Sequence, residues 1–126
     1  MNYIFNKNND EFKKLKEDVS KVLLKFPDRI PIIVTRDDKS NDLPLIDNKK
    51  YIKFLVPNDL TIGQFLFTIR KRVSLPPEKA IFLFVYNDGK YILPATGSTL
   101  LELYDKYKYE SGFILMKYSS ENTFGF

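Results

Sequence analysis

Lys53-Phe-Leu-Val-Pro-Asn-Asp-Leu-Thr-Ile-Gly-Gln-Phe65 carries the end of one regular element and the start of the next, and that junction decides the fold. Tyr51 to Val56 is rich in β-branched and aromatic residues and stops at Pro57, the pattern of a strand. Thr61-Ile-Gly-Gln64 has the spacing of a capping box, in which the threonine hydroxyl accepts from the third helical amide and the glutamine side chain returns a bond. Leu60 and Phe65 fit a hydrophobic staple over the same boundary. The helix runs on through Leu66, Ile69 and Val73 and is predicted to stop at Pro76-Pro77.

Upstream, Phe12, Leu15, Val19, Val22, Leu23 and Phe26 recur at helical spacing, with Asp10 as the expected cap and Pro27 as the stop. Lys13, Lys14, Lys16, Lys21 and Lys25 form its polar, solvated face. Arg29 to Thr35 reads as a strand in which Pro31 implies an edge or a bulge near the start, because proline donates nothing to a ladder. It is expected to form a hairpin with the strand at Tyr51, through a long polar connection from Arg36 to Lys50. Downstream, Ala80 to Tyr86 is continuously apolar, which predicts a central strand buried on both sides. Asn87-Asp-Gly-Lys90 is a hairpin turn into the short strand Tyr91 to Leu93. Thr99 to Glu102 repeats the capping-box spacing before a last helix with Leu103, Tyr104 and Tyr107, and Gly112 opens the final strand, Phe113 to Ser119. The order is helix, strand, strand, helix, strand, strand, helix, strand. From the first strand onward this is the order of a ubiquitin-like β-grasp, an α+β fold, with an additional N-terminal helical segment.

The 126 residues suit one domain, and 44% hydrophobic residues with 11 Phe and 8 Tyr supply a dense core. There is no Cys and no His, which removes thiol nucleophiles, disulfides, Cys or His metal sites and the usual neutral-pH general base. No cofactor or metal is called for. The first ten residues show no apolar signal core and no stretch reaches transmembrane length, so a cytoplasmic protein is expected. The net charge of +4 suits an acidic surface without specifying nucleic acid. Residues 1–25 are expected to form a helical extension packed on the core, 26–119 the grasp domain, and 120–126 a flexible tail. That tail, Glu121-Asn-Thr-Phe-Gly-Phe126, ends on a glycine and one further residue. Trimming Phe126 would expose the Gly125 carboxylate for adenylation, thioester transfer and amide formation; the other reading of the tail by itself is a frayed terminus with a chance glycine.

Five strings resemble the autophagy-related ubiquitin-like modifiers of the GABA-receptor-associated protein and microtubule-associated light chain three type. They are Phe26-Pro-Asp-Arg-Ile-Pro-Ile-Ile-Val34, the Lys53 to Phe65 stretch, Ile69-Arg-Lys-Arg72, Ile81-Phe-Leu-Phe-Val85 and Glu121-Asn-Thr-Phe-Gly125. The resemblance implies a substrate of other enzymes and not an enzyme. A processing cysteine protease would remove Phe126, and ubiquitin-like activating and conjugating enzymes would join Gly125 to phosphatidylethanolamine on the autophagosomal or another vesicle membrane. It also implies recruitment of autophagy receptors whose short extended peptide motifs add to the edge of the second strand and place two apolar anchors in adjacent pockets. Carried over, the first pocket would use Asp18, Val22, Pro31, Ile33, Lys53, Leu55 and Phe113. The second would use Phe54, Val56, Pro57, Leu60 and Phe65, with Arg29 and Arg72 meeting acidic residues beside the motif.

Three features depart from the family pattern. Thr68 stands where an apolar residue usually lines the second pocket, the Arg36–Tyr51 connection is about three residues longer, and the turn at Asn87 to Tyr91 is extended. Both loops are expected to alter the surface and not the core. An enzyme reading has no catalytic spacing or phosphate loop behind it. A nucleic-acid reading rests on Lys49-Lys50, Lys53 and Arg70-Lys-Arg72, yet the nearby aromatics fall at core phases. The remaining alternatives are a ubiquitin-like peptide-binding module that is never lipidated, or one conjugated to a protein lysine; Gly125→Ala should leave peptide binding unchanged and abolish conjugation.

Overall fold

The computed structural model describes residues 5–122. Gly125 and Phe126, on which the conjugation reading turns, lie outside the described residues. One mixed sheet of five strands carries the domain, formed by β1 (Arg29–Arg36), β2 (Tyr51–Pro57), β3 (Phe82–Asn87), β4 (Lys90–Ile92) and β5 (Ile114–Ser119) in the order β2-β1-β5-β3-β4. β1 and β2 form the expected hairpin, with a continuous register from Arg29 opposite Pro57 to Thr35 opposite Tyr51. β1 and β5 run parallel, and β3 and β5 antiparallel. The central strand is therefore β5, and the expectation of a central β3 is corrected: β3 lies between β5 and the edge strand β4. β1 is likewise internal, and its register has no bulge. Pro31 is accommodated because β5 joins β1 only from Ile32, so the proline precedes the second ladder.

Strand alternation divides the core in two. Ile30, Ile32, Val34, Ile114, Met116, Leu83 and Val85 face one side with Phe65 and Ile69 of α2 (Ile62–Arg72) and Leu100 and Leu103 of α3 (Leu100–Tyr107). Ile33, Phe113 and Leu115 face the other, where Leu15 and Val19 of α1 (Asp10–Lys25) cover them. The cap of α1 falls one residue before the expected Asp10: Asn9 accepts from the Glu11 amide at 2.8 Å, and Asp10 is the first helical residue. Either residue type can cap, and the acid at the first position still favours the positive end of the helix dipole. The Tyr109 hydroxyl donates to the Phe5 carbonyl at 3.0 Å and the Phe5 ring lies 4.9 Å from that of Tyr86, which ties the N-terminal segment to the same face.

Thr61 forms the complete capping box with Gln64. Thr99 caps α3, and Thr61 and Thr99 also pair in an isolated antiparallel bridge. The Ile62 amide donates to the Ser98 carbonyl at 2.9 Å and the Leu100 amide to the Leu60 carbonyl at 2.8 Å, so two helix starts satisfy their free amides through one another's loops. At the β3–β4 hairpin Asp88 and Gly89 take φ of 50° and 85°, as a two-residue turn of the primed kind requires.

The long β1–β2 connection is not a surface loop alone. It contains a 3-10 turn at Ile46–Asn48, places Leu43 and Ile46 in the α2-side core and buries Ser40. The Tyr118 hydroxyl donates to the Pro44 carbonyl at 2.7 Å, and the Arg36 guanidinium donates to the Leu43 carbonyl at 2.8 Å. Burial in this setting pushes the Tyr118 phenol up from its ordinary value.

Candidate functional site on the outer edge of the second strand

β2 ends the sheet, and among the described residues it pairs with β1 alone. Its outer edge therefore offers backbone donors and acceptors to a further strand. Alternation sends Ile52, Phe54 and Val56 toward the α2 side, opposite Val34, Ile32 and Ile30, and Tyr51, Lys53 and Leu55 toward the α1 side.

On the α1 side a cavity of about 160 Å³ is lined by Asp18, Val19, Val22, Pro31, Lys53, Phe54, Leu55 and Phe113. Six of the seven residues carried over to the first pocket meet there. The seventh, Ile33, does not line it; it is buried beneath, packed with Leu15, Val19 and Phe113. Val19 and Phe54 were not assigned to this pocket. Val19 lies one residue on from Asp18 in the apolar helical series and is buried against the sheet. The cavity is too small for a cofactor site, which takes roughly 300–1,000 Å³. Its walls are mainly apolar, and the Lys53 ammonium and Asp18 carboxylate stand 3.8 Å apart over it, both partly exposed. An exposed pair of this kind is weak, so either partner can exchange it for a ligand group.

On the other side Phe54 packs edge-on against the buried Phe65, with ring centroids 5.2 Å apart, and the Arg72 guanidinium covers the Phe54 ring at 5.4 Å. Val56 and Leu60 pack partly buried against the same core, while Pro57 and Arg29 are exposed and face each other across the hairpin. The structure thus gathers the aromatic and aliphatic members of the second group, with Phe65 as buried support. Thr68 is half-buried on α2, its hydroxyl directed at the Gln64 carbonyl at 3.5 Å.

A concavity of about 550 Å³ extends along the start of β2, lined by Asp47, Lys49, Lys50, Tyr51, Ile52, Lys53 and Arg72. Arg72 is paired with Asp47 at 2.6 Å. Lys49 and Lys50 were absent from the carried-over residues, although their place directly ahead of an edge strand was a readable signal. Four cations and one carboxylate make this a surface for acidic groups. Tyr51 is joined to α1 through a hydrogen bond from its hydroxyl to Glu11.

A mixed sheet gripping α2 on one face, with an added helix on the other and an edge strand that has an apolar cavity on its α1 side and the Phe54–Phe65 cluster on its α2 side, defines a ubiquitin-like module with an N-terminal extension. The profile of the family described as "Autophagy protein Atg8 ubiquitin like" matches residues 14–125. Autophagy-related protein 8 of Mycosarcoma maydis is 49% identical over 119 residues, covering 94% of each chain. Autophagy-related protein 8d of Arabidopsis thaliana is 50% identical over 119 residues, 94% of this chain and 92% of that one. The crystal structure of Trypanosoma brucei ATG8 superposes with a TM-score of 0.71 at 43% identity, covering 90% of this chain and 91% of that one. The chain belongs to the Atg8 family of ubiquitin-like autophagy proteins, which are modifiers and not enzymes.

Proposed function

We propose that this modifier is cleaved after Gly125, joined to phosphatidylethanolamine, and used to bring receptors with short extended peptide motifs to the autophagosomal membrane. The observation that carries the reading is the outer edge of β2, which no further strand covers among the described residues, flanked by an apolar cavity on the α1 side and by Phe54 on the other. A peptide added to that edge takes its register from backbone bonds. Because side chains alternate, anchors for recesses on opposite faces must be an odd number of residues apart. Acidic residues beside the anchors would meet Lys49, Lys50, Lys53 and Arg72, and Arg29 at the far end of the hairpin.

Family membership and the position of Gly125 support the covalent half. Hydrolysis of the Gly125–Phe126 amide consumes one water and releases Phe126. The freed carboxylate displaces pyrophosphate from ATP, a cysteine thiolate displaces AMP, and the ethanolamine amine displaces the thiolate to leave an amide. Among the described residues no helix is long and apolar enough to cross a membrane. Attachment in this reading comes from two acyl chains, at about 0.8 kcal/mol per buried methylene.

The test is the intact mass of the chain and of Gly125→Ala after incubation with a eukaryotic extract, ATP and phosphatidylethanolamine liposomes. Loss of Phe126 and gain of one phospholipid are expected with Gly125 only. An unchanged mass, while an Atg8 relative is lipidated in the same extract, would leave a non-lipidated peptide-binding module.

A further inference from the structure

The segment from Asp37 to Asp42 closes over the end of β5, on a part of the molecule that neither recess uses. The β5 ladder stops at Ser119, paired with Phe82, so the next amides have no strand partner. Side chains take over that role. The Ser120 amide donates to Ser40 Oγ at 3.0 Å, and the Glu121 amide donates to Ser119 Oγ at 3.0 Å. Ser40 Oγ and Ser119 Oγ are hydrogen-bonded to each other at 3.1 Å, and both residues are fully buried. Ser120 Oγ donates to Asp42 Oδ1 at 3.0 Å, and Lys79 pairs with the other Asp42 oxygen. These bonds hold the Asp42 carboxyl below its ordinary range.

We infer that this clasp positions the chain leading to Gly125 for the enzymes that act on it, with Ser40 as its central positioning residue; the inference rests on the proposed use of Gly125. A buried hydroxyl bonded to several partners is closely located, and here it fixes the backbone where the sheet no longer does. Gly125 lies four residue steps beyond Glu121, a reach of at most about 14 Å. Without the clasp the last fixed residue retreats to Ser119, and six residues span about 21 Å. The longer reach alone dilutes the Gly125 carbonyl at an enzyme's active site roughly two- to threefold. Loss of a fixed exit direction adds to this, since positioning of the reacting group is part of catalysis.

The experiment measures removal of Phe126 from the full chain by a purified cysteine protease that processes Atg8 precursors, for the wild type, Ser40→Ala, Asp42→Asn and Ser120→Ala. Hydrogen exchange is followed at the Ser120 and Glu121 amides. Faster exchange at those two amides, with the rest of the domain protected as before, is expected to accompany a kcat lowered about three- to tenfold and a KM within about twofold of wild type. A purely structural role would lower Tm and protection throughout and leave kcat of the folded fraction unchanged. Ser120 is partly exposed and Asp42 exposed, so their variants decide the matter if Ser40→Ala does not fold. Variants with freed amides and wild-type kcat would overturn the inference. A wild-type chain left uncut, beside a relative that is cut, would overturn the reading of Gly125 itself.

Discussion

Gly112→Ala is the substitution that most sharply joins the fold to the candidate site. Gly112 precedes β5 with φ of 94°, and a Cβ built there would sit 2.6 Å from Val19 Cγ1. The backbone conformation disfavours any side chain, at about 1–3 kcal/mol. Forcing the methyl against a buried valine adds about 1–3 kcal/mol of overpacking, so the loss should fall at about 2–6 kcal/mol. Val19→Ala alone removes two carbons from a buried site and should cost about 1.6 kcal/mol or slightly more. In the double variant the clashing Cγ1 is gone, so the overpacking part vanishes. The two losses should then fall short of additivity by about 1–3 kcal/mol. Urea unfolding of the four proteins measures this directly. Val19 also lines the α1-side cavity with Asp18 and Val22, so pushing α1 outward should weaken an anchor at that recess. Additive losses within about 0.5 kcal/mol would refute the claimed contact.

Under the proposed function Thr68 borders the second anchor, so Thr68→Val, which removes a hydroxyl while keeping the shape, should tighten binding of an acidic-flanked peptide with two apolar anchors by about threefold; titration calorimetry reads this. Arg72→Ala should change stability by no more than about 1 kcal/mol, since its pair with Asp47 is exposed, yet it should weaken the same peptide and flatten the salt dependence of binding. Burial, with the charges of Tyr86, Asp37 and Asp38, pushes the Tyr91 phenol up to about 12. The folded state therefore holds this proton more tightly than the unfolded chain, whose phenols titrate near 10. Its contribution to stability is fully present below pH 10 and declines as pH rises toward 12. Tyr91→Phe should flatten that decline in unfolding experiments.

What could be read from the chain was whatever local chemistry decides. Thr61 with Gln64, the Asp88-Gly89 turn and the Pro27 stop each act within a few residues, and every helix and strand appears in the expected order, although α2 ends at Arg72, ahead of the expected stop at Pro76-Pro77. Strand neighbours were harder, because β1 and β5 pair across about eighty residues. A continuous apolar run such as Ile81 to Val85 says only that both faces are covered, and it cannot choose between the middle of the sheet and the next place out. The first recess was legible only through resemblance and helix phase, which brought Asp18 and Val22 to Lys53 and Leu55 but set Ile33 in the wall when it lies beneath it.

The β1–β2 connection shows why composition alone misplaces a loop. Arg36 to Lys50 is polar, and polarity normally marks solvent, yet Leu43 and Ile46 enter the core and Ser40 is fully buried. The buried hydroxyls are tolerated because they satisfy one another and the β5 amides, an accounting that involves residues about eighty positions apart. The same bonds couple the loop to Ser119 and Ser120 at the end of β5. If Gly125 is the reacting residue, variation in this loop can alter how the terminus is presented without touching the edge of β2, and peptide choice and conjugation rate become separately adjustable on one small sheet.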